Sequence, residues 1–233
     1  MANTHSLDLE RGSSQYAFVA DTAPLSITGN LSIEAWVRLE SLPSVGGEAY
    51  CIAAKMDQDG TNASYNFCIA TNDKMRFFTS DDGNLVANGD ANTALSINTS
   101  YHLGVTYSTA GSCTFYLNKV PDGNPSGLDT SISNNTSRFT IGAVDTQSTA
   151  RFFMDGLVDE VAVYNAIVAL DTLDNQADKT GRTNMVGYWK LNNDYVDVVN
   201  AANLTAVGSP VFSTTVPFVD YRGVFSGLQS KIW

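Results

Sequence analysis

Asp57, Asp59 and Asn62 bunch in one glycine-containing loop that opens Asp57-Gln58-Asp59-Gly60, and offer oxygen ligands at close spacing. A hard cation such as calcium gathers about six to eight oxygens, so this loop is a candidate calcium site. The composition is equally that of an ordinary turn, and the downstream glutamate of an EF-hand is missing. Asp159 is a further candidate. Strict alternation places it on one strand face with Leu157, Val161 and Val163, and places Glu160 with Val158 and Tyr164. An inward carboxylate must be paired, hydrogen-bonded or metal-bound. Anchoring the backbone amides of a neighbouring loop is the simplest of these roles. Calcium is the single cofactor the sequence suggests.

A second chemistry is sugar recognition, in which an aromatic ring stacks on a pyranose and amide or carboxylate groups meet its hydroxyls. Trp36, Tyr65, Tyr116 and Tyr164, together with Phe78, fall opposite apolar faces by alternation and are the candidate ligand-binding rings. Burial in a core is the competing reading of the same pattern. Catalysis finds few residues. His5 and His102 are the histidines, and there is no Gly-x-Ser-x-Gly, His-Glu-x-x-His or phosphate loop. Asp159 and Glu160 are adjacent, so alternation sends them to opposite faces, where they cannot flank one bond. The chain is expected not to be an enzyme.

These residues must be positioned by strands. Leu31, Ile33, Ala35, Val37 and Leu39 share one face, and Ser32, Glu34, Trp36, Arg38 and Glu40 the other. Tyr101, Leu103, Val105 and Tyr107 repeat the pattern, as do Cys113, Phe115 and Leu117. Shorter strands are expected at Tyr50–Ala54, Tyr65–Ala70, Met75–Ser80, Phe139–Ile141 and Phe152–Met154, with turns rich in Gly, Asn and Asp between them. Such a series predicts an all-β, two-sheet antiparallel sandwich. One short helix is predicted near Ala166–Lys179, where Ile167, Leu170, Leu173 and Ala177 recur at three- and four-residue steps. Met185–Leu191 reads as a further strand that completes a sheet from the C-terminal side.

Composition bounds the partners. Twenty-four acidic against 13 basic residues give a net charge of −11, which opposes binding to phosphate backbones, so no nucleic-acid partner is expected. No apolar run approaches the roughly 20 residues of a membrane-spanning helix, and no secretion signal is read at the start of the chain. Cys51, Cys68 and Cys113 lie in apolar or alternating runs without metal-site spacing and read as buried free thiols. Residues 1–216 read as one domain. Residues 217–233 form an apolar tail carrying Phe218, Tyr221, Phe225, Leu228 and Trp233, either docked on the domain or a contact for a partner.

Two distant segments carry a family resemblance: Gly29-Asn30-Leu31-Ser32-Ile33-Glu34-Ala35-Trp36-Val37 and Phe153-Met154-Asp155-Gly156-Leu157-Val158-Asp159-Glu160-Val161-Ala162-Val163-Tyr164. With Leu7–Ala17, Ala53–Gly60, Tyr101–Tyr107 and Phe115–Asn118 in order between and before them, they resemble the laminin-G-like, concanavalin A-like jelly-roll domains. Tyr101 stands where Trp is common in that family, and Lys119 where Gly is common. The resemblance implies a jelly roll acting as a non-catalytic recognition or assembly module. Stand-alone members without a secretion signal resemble bacteriophage virion proteins, either head decoration or tail fibre. This implies a virion location and, as partners, other virion proteins or a second copy of the chain. The alternative is a bacterial lectin, calcium-dependent or not, that takes a cell-surface glycan. The family's hydrolases carry a Glu-x-Asp-x-x-Glu string, which is absent from this sequence.

Overall fold

The computed structural model describes residues 3–57, 62–84, 86–145, 147, 149–170 and 179–217. In chain order the strands are β1 (Ser6–Leu9), β2 (Tyr16–Val19), β3 (Leu31–Leu39), β4 (Tyr50–Met56), β5 (Ala63–Ile69), β6 (Lys74–Thr79), β7 (Ala87–Ala94), β8 (Ser100–Ser108) and β9 (Ser112–Leu117). They continue with β10 (Val120–Pro121), β11 (Phe139–Ile141), β12 (Val144–Asp145), β13 (Ala150–Arg151), β14 (Gly156–Tyr164), β15 (Met185–Trp189), β16 (Thr205–Val207) and β17 (Val211–Ser213). The first sheet runs β10-β9-β8-β3-β14-β1-β17, with β15 also on β14; the second runs β16-β2-β11-β4-β5-β6-β7; β12 and β13 form a small hairpin. All the pairings are antiparallel. This is the two-sheet sandwich that the alternation predicts.

The inner faces meet in one core. Leu31, Ile33, Ala35, Val37 and Leu39 of β3 are fully buried against residues that include Tyr50, Ile52, Tyr65, Phe67 and Phe77 of the second sheet. Three ring pairs cross between the sheets: Phe67 with Phe115 at 6.4 Å, Phe77 with Tyr107 at 6.0 Å, and Phe139 with Trp189 at 4.9 Å between centroids. Each such pair adds about 0.5–1.5 kcal/mol beyond area burial. The Trp189 indole also donates to the Ala202 carbonyl at 2.9 Å, so β15 completes the first sheet and anchors the segment after it.

The polar-looking face of β3 is buried too, since Ser32, Glu34 and Trp36 are all inaccessible. Residues of the connection from β14 to β15 meet Ser32 and Glu34 on this face. Ser32 Oγ donates to the Ala166 carbonyl at 2.8 Å and accepts from the Val168 amide at 3.1 Å. Leu170 seats over Gly104, where an added Cβ would lie 2.6 Å from Leu170 Cδ1. Here the start of the predicted helix is corrected. Residues 166–169 have no helical hydrogen bonding and Leu170 is a turn, because the Ala166 carbonyl, the Val168 amide and the Leu170 side chain are committed to the sheet beneath them. Residues 171–178 lie outside the described residues. Phe152–Met154 is also not a strand; the paired residues there are Ala150 and Arg151. The longest strand that alternation overlooks is β7, Ala-Asn-Gly-Asp-Ala-Asn-Thr-Ala, whose sequence has almost no apolar periodicity. Gly89 on β7 admits Pro125, to which an added Cβ would come within 2.5 Å.

Candidate functional site

The outer face of the second sheet carries an open pocket of about 230 Å³, lined by Ala49, Met56, Asn66, Phe78, Val86, Val144 and Phe152. Register builds its floor: Asn66 pairs with Ala54 of β4 on one side and with Phe78 of β6 on the other. The β12–β13 hairpin builds its wall. Val144 packs on Cys51 and Ala54, and the Phe152 carbonyl accepts from the Cys51 amide at 2.9 Å. The two rings at the pocket are half-buried, and each is met by an arginine that already has an acidic partner. Arg76 lies 5.8 Å from the Phe78 centroid and 2.8 Å from Asp90 through Nη2; Arg151 lies 5.5 Å from the Phe152 centroid and 3.1 Å from Glu48. Hydrogen bonding to Arg76 holds the Asp90 carboxyl below its usual range. Beneath the floor, burial pushes the Cys51 and Cys68 thiols up, Cys68 to about 12. All three cysteines are free and buried, as the sequence reading expects. Two apolar rings flanking one amide give a surface that can stack on C–H groups and meet a hydroxyl or amide.

The sequence-derived aromatic set does not gather at one surface. Trp36, Tyr65 and Tyr164 are buried, Tyr65 with its hydroxyl on the Leu25 carbonyl at 3.0 Å and Tyr164 with its hydroxyl on Glu34 at 2.6 Å. Tyr116 is half-buried on β9, opposite Gly104 in the first sheet. Of the rings that the alternation marks, Phe78 alone lines the pocket. Phe152 escapes alternation because it follows a two-residue strand; what places it is its contact with β4.

Of the candidate calcium ligands, Asp57 and Asn62 are neighbours in the second sheet's loop and Asp159 lies on β14 of the first sheet. The Asn62 carbonyl already accepts from the Asp57 amide, Asn135 Nδ2 and Ser137 Oγ at 3.1, 2.8 and 2.7 Å. Nearby oxygens converge instead on the Lys55 ammonium, which donates to Asp21 Oδ1, the Asn135 carbonyl and the Ser137 carbonyl at 2.8, 2.9 and 2.8 Å. Asp59 lies outside the described residues, and so do Phe218, Tyr221, Phe225, Leu228 and Trp233. Among the described residues, the acidic groups that do converge are Asp8, Glu10 and Glu40, with ligand oxygens within 4.8 Å of one another. Burial, then neighbouring acids, raises the Asp8 and Glu40 pKa values.

Asp159 and Glu160 are corrected by a bulge. Asp159 registers with Trp36 and Ala162 with Glu34, so β14 carries one residue more than β3 between these pairs, and Glu160 takes a left-handed φ of 52°. Asp159 therefore leaves the core side of Val161 and Val163. Both carboxylates sit where β1 and β15 meet end to end along β14. Asp159 accepts from Asn3 Nδ2 at 2.5 Å and from the Glu160 amide at 3.0 Å, while Glu160 accepts from the Tyr188 hydroxyl. Adjacency thus does not separate the pair. Burial and then the Glu160 charge raise the Asp159 pKa well above the carboxylate range. A raised folded-state value contributes stability at low pH and withdraws it as pH rises through that value. Asp159→Asn is expected to raise the melting temperature at pH 7–8 by a few degrees and to remove this alkaline loss, as thermal unfolding from pH 5 to 8.5 would show. Turning the Asn3 amide over would present its buried, unpartnered Oδ1 to the new amide.

A buried polar cluster lies on the same outer face of the first sheet. Glu34 meets His102 Nε2 at 2.7 Å, Arg182 Nη1 at 2.7 Å, the Tyr164 hydroxyl at 2.6 Å and Lys179 Nζ at 3.5 Å. Lys179 also donates to the Glu160 carbonyl at 2.7 Å. Burial alone would raise Glu34, but Lys179, His102 and Arg182 hold it far below the usual carboxylate range. Burial lowers the His102 pKa, and its Nε2 is hydrogen-bonded to Glu34. These groups are sealed beneath the connection and fasten it to the sheet.

With this geometry in place, comparison by sequence finds a laminin-G-type family model, described as the concanavalin A-like lectin/glucanases superfamily, matching residues 11–171. The chain belongs to this superfamily. No curated protein matches it by sequence. Solved structures share the fold at low identity. A Bacteroides ovatus protein to which carbohydrate binding is ascribed aligns with a TM-score of 0.67 at 12% identity, over 91% of this chain and 60% of its own. The chain thus spans less than two thirds of that protein's length. The heptameric SAP-like pentraxin of Limulus polyphemus aligns at 0.56 and 9% identity, covering 85% of this chain and 94% of its own. The carbohydrate-binding module of Ruminococcus gnavus IT-sialidase, solved with α2,3-sialyllactose, aligns at 0.53 and 12% identity, covering 65% and 84%.

Proposed function

We propose that this lectin/glucanase-superfamily chain is a non-catalytic glycan-binding module whose sugar site is the pocket between Phe78 and Phe152. The observation that carries the reading is the pocket itself: two half-buried phenyl rings flank the Asn66 amide on an open sheet face. Apolar walls with a few placed polar groups are the usual makeup of small-ligand sites. Its similarity in fold to carbohydrate-binding proteins supports the reading. Among the described residues the pocket lining contains no carboxylate, and binding is expected to be independent of calcium.

A glycan array followed by titration calorimetry with the best ligand, in calcium and in EGTA, tests this. Saturable binding that persists in EGTA and weakens at least tenfold in Phe78→Ala is the expected outcome. Ten-fold corresponds to about 1.4 kcal/mol, less than stacking and burial of one ring can supply. Absence of saturable binding, or full binding by a folded Phe78→Ala variant, would overturn the reading. The virion placement implied by the sequence resemblance rests on that resemblance alone.

A further inference from the structure

We infer that the sugar taken by this pocket carries an acetamido group, whose methyl enters among the apolar side chains while its amide meets Asn66. The inference rests on the glycan-binding reading and specifies its ligand. Met56, Phe78, Val86, Val144 and Phe152 present carbon to the cavity, and Asn66 is the polar side chain in its lining. A sugar hydroxyl pushed among these groups would lose its water without gaining a partner, which disfavours an unsubstituted pyranose edge. A methyl group has the opposite preference. An amide on that methyl matches Asn66, the polar side chain among the described lining residues, since asparagine offers both a donor and an acceptor. The Asn66 carbonyl oxygen is engaged by the Cys51 thiol at 3.5 Å, and a thiol is a weak donor. The pocket's 230 Å³ holds one small substituent and part of a ring, not an oligosaccharide.

The rim argues for a neutral sugar over an acidic one. Arg76 is held by Asp90 and Arg151 by Glu48, so a sugar carboxylate would have to displace an existing acidic partner from either guanidinium. The same two phenyl rings carry these arginines, at 5.8 and 5.5 Å from their centroids.

Ligand-observed NMR and calorimetry on the wild-type protein decide the point with the methyl glycosides of N-acetylglucosamine, N-acetylgalactosamine, glucose, galactose, fucose and N-acetylneuraminic acid. One or both N-acetylhexosamines are expected to bind at least tenfold more tightly than the parent hexose, with saturation transfer strongest at the acetyl methyl. Asn66→Ala is expected to reduce that preference to threefold or less. Because the comparison among sugars is made on the wild-type protein, it stands even if the variant folds poorly. Equal binding of acetylated and parent sugars overturns the acetamido assignment and leaves the glycan reading intact. Preference for fucose overturns it as well, by showing methyl recognition without the amide, and preference for N-acetylneuraminic acid overturns the neutral-ligand argument. No binding by any of the six, with an unresponsive glycan array, overturns both.

Discussion

Glu34→Ala is expected to destabilise the protein by about 3–5 kcal/mol, the cost of removing one partner from a buried ion pair. For a chain of this size that corresponds to a fall in melting temperature of roughly 6–20 °C. The reason lies in what surrounds the carboxylate. Arg182, Lys179, His102 and Tyr164 all converge on it, and Lys179 is as fully buried as Glu34 itself. Without Glu34, Lys179 and Arg182 lose the buried carboxylate that they share. Glu34→Gln keeps the shape and loses only the charge, so it should show most of the same loss. The pH dependence follows from two signs. Glu34 is depressed on folding, so its contribution is complete above its unfolded value, about 4.3, and fades as pH falls toward the folded one. His102 is lowered by burial, so stability is also withdrawn as pH drops below about 6.5, where the unfolded chain takes up a proton that the folded chain refuses. Urea unfolding of the three proteins between pH 4 and 8 would test this. A loss under 1 kcal/mol at pH 7 in both variants would show that the cluster does not fasten the connection.

Gly156→Ala is the second large effect, expected to cost about 3 kcal/mol or more, because backbone strain and steric overlap act together. Gly156 has a φ of +132°, and a Cβ there would lie 2.3 Å from the Arg38 carbonyl oxygen and 3.0 Å from the Glu40 amide. Those atoms belong to the backbone of β3 and its exit, so no rotamer change relieves the contact. Asp155 beside it accepts from the Arg11 amide at 3.1 Å and the Ser41 hydroxyl at 2.5 Å, and its carbonyl takes the Glu40 amide at 3.1 Å. The Asp155-Gly156 pair is therefore where β14 enters the sheet between β1 and β3. Gly12→Ala is the control, since its added Cβ meets nothing within 4 Å. It should stay within about 0.5 kcal/mol of wild type. Similar losses at both positions in chemical denaturation would remove the steric explanation.

Both predictions rest on segments that the sequence singles out, but for reasons it does not contain. The alternation of Leu31 to Leu39 was sufficient to put those residues in a core, because a strand's side chains alternate through local geometry alone. The same alternation marks Glu34 and Trp36 as outward, which is correct for the sheet and misleading about solvent. What meets Glu34 there is the connection beyond β14, over 130 residues away in sequence, through Lys179 and Arg182. Its apolar spacing reads as a helix when taken alone, and Ser32 and Gly104 hold its first residues, 166–170, against the sheet.

The candidate site divides in the same way. Sequence alone determined that this chain is a strand-built sandwich with free buried thiols and a strong acidic excess, since periodicity and composition are local or additive properties. Phe78 was legible as an outward ring. Its pairing with Phe152 and Asn66 was decided by strand register and by where a two-residue hairpin lands on β4. The bulge that brings Asp159 and Glu160 to one junction was also a tertiary decision. One inserted residue reverses every later assignment of face, and its position depends on matching β14 to β3 and not on the composition of either strand.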